Sequence, residues 1–176
     1  MTEGFEPATI GAQFPVMLVA VVADTHIPRR AKALPPGLLP HLRQAGCILH
    51  AGDLMQTTLL DELAGYAPVF AVRGNLDPPQ ADPRLPESRE FELEGVQLAM
   101  VHDSGPARGR RNRSRRRFPG ARVVVFGHSH IPVLEDDGEL MLLNPGSPTD
   151  KRRQPEHTCA LLEVSGGEAQ AEIFPV

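Results

Sequence analysis

The chain has 176 residues, of which 41% are hydrophobic and 23% are charged, and its formal net charge is −4. This composition is that of an ordinary globular domain, and the negative balance excludes a globally basic nucleic-acid-binding protein. No apolar run approaches the roughly 18 residues of a membrane helix, and the acidic first residues do not resemble a signal peptide. We therefore expect a cytoplasmic protein with no membrane partner.

Residues 1–15 show no hydrophobic periodicity and contain two glycines and two prolines, which predicts a flexible N-terminal arm. From residue 16 to residue 176 the composition does not change, so we expect one α/β domain over this range. Within the domain one unit recurs, in which a short aliphatic run ends abruptly in polar residues and glycine. Continuous runs of this kind predict strands that are buried on both faces.

In chain order, the predicted strands are VMLVAVVA, CILHA, PVFAVR, VQLAMV, RVVVF and LMLL. Helical patterns lie between the first three strands, over residues 38–45 and 57–64. Two hairpins are also predicted. One turns at Gly95, between FELE and VQLAMV, and the other joins CALLEV to AQAEIFPV through two glycines.

Polar side chains follow five of these strands at the point where each strand ends. They are Asp24, His26, Asp53, Asn75, His102, His128 and His130. In an α/β sheet the loops after the strand C-termini share one edge, so we expect these side chains to meet there. Two pairs, at 24/26 and 128/130, are two residues apart, and in an extended chain such side chains point the same way.

The carboxylates and imidazoles of this set indicate a metal site without thiolate ligands. Seven donors exceed what one ion needs, whereas two ions that share a bridging carboxylate would use them all. We therefore predict two divalent ions, with Mn²⁺ favoured over Ni²⁺, Co²⁺, Fe²⁺, Zn²⁺ and Mg²⁺.

The chain resembles the calcineurin-like metallophosphoesterases in five blocks, namely D-x-H at 24–26, G-D at 52–53, G-N at 74–75, His102, and G-H-S-H at 127–130. The block N-P-G-S at 144–147 is typical of their small single-domain subgroup. The resemblance covers residues 16–164. It implies a four-layer αββα sandwich, with the metal site at the C-terminal ends of the strands.

The resemblance also implies how the ligands divide between two ions. One ion would be held by Asp24, His26, Asp53 and His130. The other would be held by Asp53, Asn75, His102 and His128, so that Asp53 bridges the pair. The residues implied to act in catalysis are Asp53, Asn75 and His102, and the expected reaction is hydrolysis of a phosphoester by a hydroxide that bridges the ions.

Two positions depart from the family pattern. Leu76 follows the G-N block where many of these phosphatases have a histidine that protonates the leaving group, and Asp103 follows His102 where glycine is common. A general acid typically contributes about 10²–10⁴-fold, and simple monoesters need one most. We therefore predict that a small phosphodiester is the favoured substrate.

His50 and Asp77 lie close in sequence to the predicted ligands, and each has two interpretations. Either residue could support the ligands from behind through hydrogen bonds. Alternatively, His50 is a partly buried histidine at a strand end, and Asp77 is a turn cap ahead of Pro78.

Residues 108–117 contain seven arginines, a cluster typical of proteins with a phosphate-rich partner such as nucleic acid. On that interpretation the chain would be a weak nuclease. No aromatic residue is interleaved before Phe118, which argues against base stacking. We therefore favour a solvated helix whose arginines pair with surface acids.

A further alternative is a non-catalytic scaffold for protein–protein contacts, as in the retromer subunit of this fold. The seven filled ligand positions argue against it. No pattern in the sequence specifies an oligomeric state.

Overall fold

The computed structural model of the chain describes residues 15–78 and 82–176. The predicted flexible arm lies outside these ranges except for Pro15. The elements in the described ranges are β1 (Met17–Val22), α1 (Leu39–Gln44), β2 (Cys47–His50), α2 (Thr58–Ala64), β3 (Val69–Ala71), β4 (Ser88–Leu93), β5 (Val96–Val101), α3 (Arg110–Arg117), β6 (Val123–Val125), β7 (Val133–Asp136), β8 (Met141–Asn144), β9 (Thr158–Ser165) and β10 (Glu168–Pro175).

The strands form two five-stranded sheets. Sheet A has the order β10-β9-β1-β2-β3, and sheet B has the order β4-β5-β6-β8-β7. The neighbours β1, β2 and β3 are parallel, as are β5, β6 and β8. The loops that follow these strands therefore open at one edge of each sheet. The remaining strands pair antiparallel to their neighbours at the outer parts of the sheets.

Three apolar layers follow from the alternation of side chains between the two faces of each strand. Between the sheets, residues of β1 and β2 pack with residues of β5, β6 and β8, including Val21, Leu49, Leu98, Val125 and Leu143. The other face of sheet A packs on α1 and α2 through residues such as Val22, Ile48, Leu42 and Leu60. The other face of sheet B forms a third cluster with Phe118, which directly follows α3. This is the predicted αββα order, and the predicted fold is confirmed.

All the predicted strands and both hairpins are present, and α3 lies within the arginine-rich segment. Strand β7 is an addition. Its sequence, VLED, carries two exposed acids and pairs on one side only, with β8, so it lacks the aliphatic run by which the other strands can be recognised. No helix in the described part of the chain is long and apolar enough to span a membrane.

Candidate metal centre

The seven predicted ligands lie together where the loops after β1, β2, β3, β5 and β6 meet. At the centre, Asp53 Oδ2 is 3.3 Å from His26 Nε2 and 3.4 Å from His102 Nε2. Asp24 Oδ1 is 3.5 Å from His130 Nε2 and 3.9 Å from His26 Nε2. The side chains of these five residues are almost completely buried.

Asn75 and His128 complete the cluster on its more open side. Asn75 Oδ1 is 3.0 Å from His102 Nε2 and 3.0 Å from His128 Nδ1. Two sets of three ligand atoms, each within 4.8 Å of one another, can be drawn from the acids and histidines: Asp24, His26 and His130, and Asp24, Asp53 and His102. Both sets contain Asp24, and each offers three ligand atoms to a metal ion.

Two buried polar atoms of this cluster have no hydrogen-bond partner in the described part of the chain, namely Asp24 Oδ2 and His130 Nε2. A buried polar group without a partner costs about 1–3 kcal/mol. The other ring nitrogen of His130, Nδ1, donates to the backbone oxygen of Asp150, so its Nε2 carries a free lone pair. A divalent cation would satisfy both atoms, and the residues therefore fit a metal ion.

Burial and hydrogen bonds set the charges of the cluster. Burial raises the pKa of Asp24 to about 7 and lowers the pKa of His130 to about 4. Burial also opposes ionisation of Asp53, but hydrogen bonds from His102 and His26 outweigh it and hold the pKa of Asp53 well below its ordinary range. Burial acts against protonation of His26 and His102, yet hydrogen bonds to Asp53 raise both pKa values above that of free imidazole. Asp53 is thus ionised at neutral pH, and its charge favours protons on His26 and His102.

Five of the seven predicted ligands have a left-handed backbone, with φ values of 54° at Asp24, 46° at His26, 60° at Asp53, 67° at His128 and 60° at His130. The expectation that an extended chain aligns the two pairs is therefore wrong, although the side chains of each pair do reach the cluster. The chain bends sharply at every one of these residues. This conformation costs a non-glycine residue roughly 1–2 kcal/mol, so neighbouring contacts must hold the loops in place.

Asp77 is one such contact, and it joins the loop after β2 to the loop after β3. Its Oδ2 accepts hydrogen bonds from the backbone N–H groups of Asp53 (2.9 Å) and Gly74 (2.7 Å), and its Oδ1 accepts one from Met55 (2.7 Å). Asp77 is buried. It therefore does more than cap its own turn, since it fixes the backbone of a predicted ligand.

His50 joins the loops after β1 and β2 in a similar way. Its Nδ1 accepts a hydrogen bond from the Gly52 N–H at 3.2 Å, so its Nε2 donates to Thr25 Oγ1 at 3.0 Å. The ring is fully buried, and burial lowers its pKa to about 3. His50 is thus a neutral residue that holds two loops, and it touches none of the seven predicted ligands through a hydrogen bond of its side chain.

The N-P-G-S block, which begins at the last residue of β8 in sheet B, forms hydrogen bonds to two loops of the site. Asn144 Nδ2 donates to the Gly127 oxygen at 2.9 Å, and Ser147 Oγ donates to the Asp24 oxygen at 2.8 Å. The block therefore connects the loop after β6 to the loop after β1.

Asp150 is a site residue that the sequence analysis does not identify. Its Oδ2 accepts a hydrogen bond from His26 Nδ1 at 3.1 Å and forms an ion pair with Arg30 Nε at 3.2 Å. Its backbone oxygen accepts the hydrogen bond from His130 Nδ1. One residue thus turns the Nε2 atoms of two histidines toward the cluster, as the outer partners of metal-binding histidines do.

Replacing Asp150 with alanine should weaken Mn²⁺ binding by about 10- to 100-fold, which is the usual effect of losing an outer hydrogen-bond partner of a ligand. The reason is that His26 loses the carboxylate that fixes its ring. The measurement is a calorimetric titration of the metal-free protein with Mn²⁺. Asp136→Ala is the matched control, because Asp136 pairs with Arg122 at the surface. Equal Mn²⁺ affinities for Asp150→Ala and the wild type would contradict the orienting role of Asp150.

The arginine-rich helix α3 is largely engaged with its own surroundings. Arg111 and Arg115 form ion pairs with Asp137 at 2.9 Å and 2.7 Å. The guanidinium of Arg110 lies over the ring of Phe126, at 4.8 Å from its centroid. These contacts agree with the favoured interpretation of a surface helix whose arginines pair with nearby acids.

Comparison with known proteins identifies the family of the chain and supports its fold. Residues 17–167 match the calcineurin-like phosphoesterase superfamily domain. A probable metallophosphoesterase from Methanothermobacter thermautotrophicus is 38% identical over 162 residues, which cover 90% of this chain and 92% of that protein.

Two solved structures have the same architecture. Vacuolar protein sorting 29 from Cryptosporidium parvum gives a TM-score of 0.76 at 20% identity, over 92% of this chain and 98% of that one. An archaeal phosphodiesterase gives a TM-score of 0.67 at 18% identity, over 90% of this chain and 100% of that one. At these identities the two likenesses establish the fold alone.

Proposed function

Because the chain belongs to the calcineurin-like phosphoesterase superfamily, we propose that it is a phosphodiesterase that depends on two divalent metal ions, with Mn²⁺ favoured. The observation that carries the proposal is the position of Asp53. Its Oδ1 accepts a hydrogen bond from the Leu76 N–H at 2.7 Å. Its Oδ2 is left facing both His26 and His102, so one oxygen is available to two sets of ligands.

The two sets are those that the resemblance to the family implies, and His26 and His102, which both face this oxygen, belong to different sets. The first set is Asp24, His26, Asp53 and His130, and the second set is Asp53, Asn75, His102 and His128. Bound there, two divalent ions would activate a water molecule as the nucleophile and polarise the phosphoryl oxygens. His102 Nδ1 donates to the Ala51 oxygen at 2.7 Å, which turns His102 Nε2 toward Asp53 and Asn75, where a bound ion would replace its proton.

The preference for diesters rests on what surrounds the open side of the cluster. Leu76 takes the position after Asn75, and its side chain is partly exposed. The charged side chains that line the adjoining cleft are two arginines and two carboxylates: Arg73, Glu87, Asp103 and Arg117. None of the four is a histidine, which is the side chain that most often serves as a general acid. Esters with good leaving groups therefore suit this site best.

The test compares an aryl phosphodiester with an alkyl phosphomonoester at one Mn²⁺ concentration. We expect kcat/KM to be at least about tenfold higher for the diester, since a missing general acid costs about 10²–10⁴-fold where the leaving group needs a proton. Removal of divalent ions by a chelator should abolish both activities, and added Mn²⁺ should restore them. Faster turnover of the monoester would contradict the diester preference, and turnover unaffected by chelation would contradict the metal dependence.

A further inference from the structure

A cleft of about 330 Å³ opens beside Asn75, His102 and His128. A second hollow of about 220 Å³ continues from it toward α3. Both are lined by Arg117, which therefore lies where the two meet. A substrate bound at the cluster has room to extend in this direction, past the last turn of the arginine-rich helix.

The charged groups of the cleft differ in whether they already have a partner. Arg73 forms an ion pair with Glu87 at 2.8 Å. Asp103 accepts a hydrogen bond from the Gly105 N–H at 2.7 Å, and its other oxygen faces His128 Nε2 at 3.9 Å. Arg117 has no ion pair with an acid in the described part of the chain, and its guanidinium lies over the buried ring of Phe118, at 5.2 Å from the centroid.

Arg113 lines the second hollow and forms no ion pair with an acid of residues 15–78 or 82–176. Its guanidinium donates to the backbone oxygens of Ser104 at 2.8 Å and Pro106 at 2.6 Å. Neutral carbonyl groups hold this side chain in place without cancelling its charge. The path from the cluster toward α3 thus leads to two guanidinium groups.

We propose that these two hollows bind a second phosphate group of the substrate, and that the preferred substrate is a small phosphodiester with one ester arm that ends in a phosphate. This inference rests on the proposed function. The planar guanidinium of Arg117 can pair with two phosphate oxygens at once. A small molecule is favoured over a nucleic-acid strand, because the ion pairs of Arg111 and Arg115 with Asp137 interrupt the positive charge of the helix.

The experiment uses two chromogenic diesters that differ by one phosphate, namely 4-nitrophenyl ethyl phosphate and 4-nitrophenyl 2-(phosphonooxy)ethyl phosphate. Both release 4-nitrophenolate, so the chemical step is matched. For the wild type with Mn²⁺ we expect a higher kcat/KM for the doubly phosphorylated diester. Arg117→Ala should lower kcat/KM for the doubly phosphorylated diester about tenfold, as for the loss of a charge-assisted contact at a partly exposed site. It should change kcat/KM for the ethyl ester less than about twofold.

Arg116→Ala is the matched control, because Arg116 is the preceding residue of the same helix and lines neither hollow. Arg116→Ala should leave kcat/KM for both diesters within about twofold of the wild-type values. Arg117→Lys, which keeps the charge but not the planar fork, should fall between the wild type and Arg117→Ala.

The outcomes separate the two proposals. If the wild type hydrolyses neither diester with Mn²⁺, the proposed function itself fails. If it hydrolyses both, and Arg117→Ala affects both equally or neither, the second phosphate is not bound at Arg117. An equal loss in Arg116→Ala would indicate a diffuse basic surface, as for a nucleic-acid partner, and would also overturn the inference.

Discussion

Asp53→Asn should lower the turnover of an aryl phosphodiester by well over about 100-fold, while the fold stays intact. Losing an outer partner of a ligand costs about 10–100-fold, and Asp53 is proposed to contact both ions directly. The substitution replaces one carboxylate oxygen by an amide nitrogen and removes the negative charge that faces His26 and His102. Strand packing does not involve this side chain, so the circular dichroism spectrum of the metal-free protein should change little.

The measurement is kcat with saturating Mn²⁺, together with the number of Mn²⁺ ions bound per chain. Asp61→Asn is the control, because Asp61 is an exposed acid on α2 that pairs with Arg84. We expect this control to keep full activity. Full activity and unchanged metal content in Asp53→Asn would rule out a shared Asp53 ligand.

Gly74→Ala should damage the site about as severely, for a purely steric reason. A Cβ atom on Gly74 would lie less than 3.0 Å from both Asp53 Oδ1 and the Asp53 nitrogen, closer than real Cβ contacts come. Gly74 is not among the glycines with positive φ, so alanine can adopt its backbone conformation. The steric clash alone therefore causes the expected damage to the site. The loops after β2 and β3 must separate, which would break the hydrogen bonds that Asp77 makes to both.

We expect Gly74→Ala to lose at least about 100-fold in kcat/KM, by the loss of ligand geometry, and about 1–3 kcal/mol of unfolding free energy, by overpacking. The control is Gly120→Ala. Gly120 has a φ of 91°, and a Cβ atom on it would meet no other atom within 4 Å, so alanine there adds backbone strain without touching the site. Wild-type activity in Gly74→Ala would show that the two loops can separate without loss of the centre.

The fold was predictable where strands are buried on both faces, because an uninterrupted aliphatic run then marks each one. Val19–Val22 in β1 and Val123–Val125 in β6 are completely or almost completely buried, and both were identifiable. β7 could not be identified, because its two exposed acids give it the polar composition of a loop. The pairing of the strands into two stacked sheets does not follow from the runs themselves, and was expected only from the resemblance to a family.

The meeting of the seven polar residues was predictable because each follows a strand closely, and their role as ligands stays a prediction. Asp150 was not predictable, since its side-chain contact with His26 spans 124 residues and no local pattern distinguishes it from other acids. The left-handed backbone at Asp24 and Asp53 was not predictable either. Distant hydrogen bonds support it, such as the one that Ser147 donates to the Asp24 oxygen and the one that Asp77 accepts from the Asp53 N–H.

The predicted ligands are divided between the two sheets. Asp24, His26, Asp53 and Asn75 follow strands of sheet A, whereas His102, His128 and His130 follow strands of sheet B. Each proposed ion would take ligands from both, and would therefore act as a cross-link between the halves of the sandwich. An ion that binds only the folded chain adds about 2.7 kcal/mol to its stability at a free concentration 100 times its Kd. The supply of metal in the cell would then govern how long the protein survives proteolysis, and not only how fast it works.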